Sequence, residues 1–277
     1  MSRLPLRFFI EAAKLDWSEM YFETDTGTAL SHDFPLGPGD FLAFARADFA
    51  LENAHDFVNA LSNAKRAVDC QTDIFISANG LDPQNLSKQL GKSSMAGSSQ
   101  DLQRQGITLK FRLLAELGVA TPSIVARMRK LRNDLEHDYR RPRRNEVSDA
   151  IDVAELFVQA CGGKMKSVIE AFSFGSGIST ARGDKRVARN IYLRFDPSPR
   201  AHFSISFWDT ELIAKEGATK SPCIKVQAGD DEFYPLLKLM WHTDWDKDMT
   251  KCVSGFLSEL GISFPRSKFR VHAWRYD

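Results

Sequence analysis

Cysteine is scarce in this chain and scattered. The four present, Cys70, Cys161, Cys223 and Cys252, never fall into a C-x-x-C pair. That excludes a zinc-finger spacing and a disulfide framework, and it fits a reducing compartment. Long apolar runs are missing too. The opening residues, MSRLPLRFFIEAAKLDW, hold only a short apolar patch before Glu11 and Lys14, too short for the core of a signal peptide. No later run approaches the ~18 apolar residues of a membrane helix. Nor is there an excess of charge: 37 Lys and Arg stand against 36 Asp and Glu, a net +1. Bulk electrostatics therefore draws the chain neither to nucleic acid nor to a membrane, and any anion-binding surface must come from local clustering. The expectation is a cytoplasmic protein with no membrane segment and no internal repeat.

What is present is a core. Hydrophobic residues make up 43% and charged residues 26% of 277 positions, the balance of a globular chain with one large or two ordinary domains. Residues 1–40 read as a mixed extension ending in FPLGPGD, with Asp40 placed to cap a helix. From Phe41 to Ala78 proline and glycine are absent, and apolar residues recur at helical spacing: Phe41, Phe44, Phe49, Phe57, Leu61, Val68. This predicts one long helix or two nearly collinear ones. The polar stretch 79–106 predicts a loop holding at most a short helix. Helix resumes at ITLKFRLLAEL and stops at Gly118; another starts after Thr121 with Pro122 at its first turn and ends before Pro142. A last one covers Glu146 to Ala160, with Cys161-Gly162-Gly163 as a glycine stop.

The second half changes character. FSFGSGISTARGDK reads as a Gly/Ser-rich joint, its glycines at a phosphate-loop-like spacing without the lysine such a loop needs. NIYLRF and HFSISFW alternate by two around DPSPR, a hairpin pattern, and CIKVQA and YPLLKLMWH are further strand candidates. KDMTKCVSGFLSEL predicts an amphipathic helix ended by Gly261, and KFRVHAWRY a final strand. The fold class expected is α+β: an extension at 1–40, a helical bundle at 41–162, a linker at 163–184 and a small α+β domain at 185–277. His242, Asp244 and Asp246 in HTDWD read as a polar strand end rather than a cation site.

One stretch carries chemistry: RKLRNDLEHDYRRP, residues 129–142. On a helix, Ile124, Met128, Leu131, Leu135 and Tyr139 form one narrow apolar stripe, while Arg129, Asn133 and His137 lie on the far side and Arg132 at the edge. Glu136, four residues from both Arg132 and Arg140, makes ordinary surface ion pairs on this reading. Arg132 and His137 are separated by roughly 140° and 7–8 Å, so one helix cannot close both on a single atom. A symmetric dimer packing this face on its twin would bring two His and two Arg around one cleft. Histidine moves protons near neutrality and the guanidinium fork binds phosphate oxygens. These are the parts needed to cleave RNA with neither metal nor cofactor. Arg129, Arg140, Arg141, Arg143 and Arg144 would hold flanking phosphates.

The pattern Arg132-Asn133-(x)3-His137-x-Tyr139, late in a helix of a bundle, resembles the R-x4-H-x-Y signature of HEPN-domain proteins. It is similar above all to the toxin of HEPN–nucleotidyltransferase toxin–antitoxin pairs. The resemblance implies a dimeric helical bundle and metal-independent endoribonuclease activity, with Arg132 and His137 as active-site residues. Asn133 would be the polar residue that commonly follows the Arg, and Tyr139 a residue a partner nucleotidyltransferase modifies with AMP. NALSNAKRAVDCQTD looks like an early helix of the family, whose Lys65 or Asp69 would line the cleft. It covers about residues 41–162; the first 40 residues and the strand-rich tail have no counterpart in the minimal toxin. The setting implied is toxin–antitoxin or antiviral defence; the competing reading is a non-catalytic HEPN module that dimerises and binds nucleotide, RNA or a partner protein.

Overall fold

The computed structural model describes residues 6–51, 53–90, 107–121, 127, 141–179, 186–197, 200–209, 223–244 and 248–273. Among them run eight helices and six strands: α1 (Leu6–Ala12), β1 (Met20–Thr28), α2 (Pro38–Ala50), α3 (Ala54–Ala78), α4 (Leu86–Gln89), α5 (Leu109–Glu116), α6 (Arg144–Met165), β2 (Val168–Ser179), β3 (Arg186–Asp196), β4 (His202–Asp209), β5 (Cys223–Gln227), α7 (Phe233–His242), α8 (Thr250–Glu259) and β6 (Val271–Ala273). The chain is mixed α/β. It divides into two compact units, one of Met1–Thr28, Gln89–Ser94 and Val168–Asp277, the other of Ala29–Lys88 and Met95–Ser167.

In the second unit every described element is helical. The long helical stretch after Gly39 is broken at Asn53, whose side chain accepts the backbone N–H groups of His55 and Asp56, the donors an N-cap residue satisfies. The two halves are not collinear. Asn63 Nδ2 donates to Asp48 Oδ2 at 2.9 Å, the Phe49 and Phe57 rings meet at 5.7 Å, and Cys70 Sγ donates to the Leu36 carbonyl. Those contacts fold α2 back along α3 as an antiparallel hairpin, because a single long helix would leave both apolar stripes in water. Ala60, Ala64, Ala67 and Val68 of α3 and Val147, Ala150, Ala154 and Phe157 of α6 are buried. Small residues on both helices allow close approach. Gly162 and Gly163 do not stop α6, which continues to Met165. The buried Gln71 amide points Nε2 at the sulfurs of Cys161 and Met165, 3.6 Å from each, so packing on α3 holds the last turn despite two glycines.

The first unit is built on a sheet of order β5-β4-β3-β2-β1-β6, antiparallel except for the parallel β1–β6 pair. Period-two alternation sends Ile191, Leu193 and Phe195 of β3 and Phe203 and Ile205 of β4 into the core. There β4 meets α7 and β2 meets α8: the Phe203 and Phe233 rings lie 5.7 Å apart, and Phe174 meets Phe256 edge-on at 6.1 Å.

Three expectations change here. YPLLKLMWH is α7, not a strand; a continuous apolar run suits either, and here Phe233, Tyr234, Leu236, Leu237, Leu239 and Met240 are all buried. The FGSGIS stretch is no joint but part of β2, near the middle of the sheet. And where the sequence predicts a bundle followed by an α+β domain, the units interleave, because β1, from the first 28 residues, pairs with β2 from Met20↔Ser176 to Thr28↔Val168. The β3–β4 hairpin stands where the pattern put it, and helix is found across the predicted stretches of α3, α5 and α6, with α6 running past its expected stop.

Candidate functional site

The face of α3 carrying Lys65, Asp69 and Asp73 repeats at four-residue intervals, so these side chains stack along one side of the helix. Opposite them, the first turn of α5 brings in Lys110 and Phe111, and with Gln84, Leu86 and Ser87 these residues line a half-open cavity of about 500 Å³. Lys110 Nζ donates to Asp73 Oδ1 at 2.7 Å, joining α5 to α3. Both side chains keep about a third of their surface, 32% and 27%, so water screens the pair and its net worth is at most ~1 kcal/mol. A pair held this loosely can exchange partners with a ligand. Thr72 on the same face is buried, its hydroxyl returned to the Val68 carbonyl at 2.8 Å. Phe111 is set edge-on against Phe157, centroids 6.2 Å apart, which fixes its ring beside the cavity.

Neighbouring Cys70 is held toward its protonated form. Burial pushes its thiol up, and the carboxylates of Asp73 and Asp40 push it the same way, so the thiolate that would attack is disfavoured. Cys161 goes further, pushed up to about 12 by burial against the lowering effect of the Gln71 amide. Among the described residues no group of three or more His, Cys, Asp or Glu is placed to hold a metal ion, and no helix is long and apolar enough to cross a membrane.

Of the residues singled out in the sequence, Lys65 and Asp69 come together in the cavity. Arg141, Arg143 and Arg144 are exposed at the start of α6. The Arg143 backbone N–H donates to Glu146 Oε2 at 2.8 Å, closing the first turn, and the Arg144 guanidinium stands 5.0 Å from the centroid of Phe49, a cation–π seat. Arg129, Arg132, Asn133, His137, Tyr139 and Arg140 lie outside the described residues. Asp73, Lys110 and Phe111 escaped the sequence reading. The spacing Lys65-Asp69-Asp73 carried a signal for the first of them; nothing local signalled that α5 would face α3 at that level.

Comparison with known protein families, with curated proteins and with solved structures finds no match to this chain.

Proposed function

We propose that this chain is a metal-independent endoribonuclease of the HEPN type, acting as a homodimer that pairs the Arg132/His137 segments of two copies. The carrying observation is the sequence Arg132-Asn133-(x)3-His137-x-Tyr139, set between α5 and α6 of a unit whose described elements are all helical. The exposed arginines 141, 143 and 144, directly after the motif, support the reading, since they can take flanking phosphates.

In this mechanism a histidine removes the proton of a ribose 2′-hydroxyl, whose oxygen attacks the adjacent phosphorus. Arginine guanidinium groups stabilise the charge that builds on the phosphorane oxygens. The phosphorus–5′-oxygen bond breaks, the leaving oxygen takes a proton from the protonated second histidine of the dimer, and the products carry a 2′,3′-cyclic phosphate and a 5′-hydroxyl. Tyr139 would be the point of control, through AMP transfer by a partner nucleotidyltransferase, in a cytoplasmic toxin or defence system.

The test is cleavage of varied single-stranded RNAs by the purified chain, with and without a chelator, with end-group analysis of the products. Wild type cuts in both conditions, and His137→Ala and Arg132→Ala each lose about 10²-fold or more while sedimentation still reports a dimer. RNAs left intact with and without divalent metal overturn the enzyme reading, and dimers that bind RNA without cutting it identify the non-catalytic module.

A further inference from the structure

We propose that the cavity between α3 and α5 is a pocket for a guanine base. As the base-selecting subsite of an RNA-cleaving protein it rests on the reading above; as a guanine pocket it stands on its own geometry. Among the described residues, the charged side chains that line it are Lys65, Asp69, Asp73 and Lys110, two of each sign. A balanced cavity does not favour a polyanion. It favours a neutral group that presents hydrogen-bond donors and acceptors side by side.

Guanine has that edge. N1–H and the N2 amino group are adjacent donors, and O6 and N7 follow as acceptors. The Asp73–Lys110 pair presents the complement in the same order, a carboxylate beside an ammonium 2.7 Å away. A carboxylate has about four acceptor sites and an ammonium three donors, so forming the ion pair leaves each partner with capacity for the base. Adenine reverses the pattern, with an amino donor in place of O6 and a lone pair on N1 facing the carboxylate. Cytosine and uracil offer the carboxylate a single donor group. Phe111, its ring fixed by Phe157, supplies an aromatic wall of the kind that splayed single-stranded bases stack on. The volume of about 500 Å³ lies in the roughly 300–1,000 Å³ range of ligand pockets and leaves room for a ribose.

The full-length chain is titrated calorimetrically with guanosine, adenosine, cytidine and uridine 5′-monophosphates. The expected result is a preference for the guanosine compound over each other nucleotide of at least about tenfold. Asp73→Asn keeps the shape and loses the acceptor, and Lys110→Met loses the donor; each reduces that preference to about twofold or less, with melting curves reporting that the variant is folded. A second arm uses His137→Ala, to prevent cutting, with a single-stranded adenosine pentamer and the same pentamer bearing one guanosine. Tighter binding of the guanosine pentamer places the base of RNA in the pocket; preference among free nucleotides without preference among pentamers overturns the RNA subsite. Equal binding of all nucleotides, no binding, or preference unchanged in both variants overturns the pocket itself. Guanine selectivity in a chain that cuts no RNA sinks the ribonuclease reading and leaves the pocket standing; cutting without selectivity does the reverse.

Discussion

Gly175 of β2 runs so close to Arg189 of β3 that a Cβ at position 175 would stand 2.1 Å from the Arg189 carbonyl oxygen and 2.7 Å from Asn190 Cα. No side chain fits that gap, and the obstacle is backbone rather than a flexible side-chain end. Gly175→Ala must therefore push two central strands apart. The expected cost is about 1–3 kcal/mol, read as a lower denaturant midpoint at unchanged slope. A variant as stable as wild type would show that the β2–β3 ladder relaxes freely.

The glycines of α6 predict the opposite sign. Gly162 and Gly163 sit inside the helix, and a Cβ at either would meet nothing within 4 Å. Replacing each with alanine removes backbone entropy from the unfolded chain and disturbs no neighbour, so each variant gains about 0.5–1 kcal/mol. Thermal or denaturant melts of the two single variants check it; a loss of stability would mean these positions serve something other than the helix.

Two phenols titrate late. Tyr21 donates to Glu19 Oε1 at 2.6 Å, and that hydrogen bond, followed by burial, pushes its pKa up to about 12. Tyr192 is also pushed up to about 12, by burial first and then by its bond to Asp25 Oδ2 at 2.7 Å. Both shifts favour the neutral phenol in the folded chain. Their contribution to stability is complete below the ordinary tyrosine pKa of about 10 and is lost as pH climbs through about 12. Alkaline absorbance titration should show two phenolates forming near the upper value. Asp25→Ala should move Tyr192 part of the way down, since burial, the larger cause, remains. Ionisation of both near the ordinary value would contradict the hydrogen bonds.

Thiol reactivity should follow exposure. Cys223 is exposed on the edge strand β5, whereas Cys161 is 1% exposed and its thiol is pushed up to about 12. A thiol reagent at about pH 8 is expected to modify Cys223 first and Cys161 only once the chain unfolds, as mapped by peptide mass. Early labelling of Cys161 would mean that α6 opens away from α3 in the native state.

The patterns that read correctly were those whose cause is local. Alternation by two put Ile191, Leu193, Phe203 and Ile205 on one face of a hairpin, and β3 and β4 pair from Arg189↔Asp209 to Asp196↔His202. Gly118 and Gly261, expected as stops, adopt positive φ of 67° and 68° just beyond α5 and α8, a conformation glycine reaches without a Cβ clash. Lys65 and Asp69, named in the sequence through the family resemblance alone, line the cavity beside α3.

The misread elements were those decided at a distance. The FGSGIS glycines look like a breaker until β3 is laid against them, when the close approach to Arg189 becomes the reason for the glycine. Phe233–His242 offers only Lys238 and His242 as polar residues at helical spacing, and its run of apolar residues from Phe233 to Leu237 reads equally as a buried strand. The cavity was half legible: α3 supplies its acids and one lysine in a readable row, but Lys110 reaches Asp73 across 37 positions of chain.

By itself the sequence determined element type for the helix of α3, the β3–β4 hairpin and the stops at Gly118 and Gly261, though not the end of α6, and it carries the Arg132–Tyr139 motif. Only the tertiary structure decided that β1 joins a sheet whose next strand begins at Val168, that α2 folds back on α3, and that Lys110 meets Asp73. The reason is physical: local propensity is set by contacts within a few residues, whereas pairing partners are chosen by burial of faces that only the folded chain brings together.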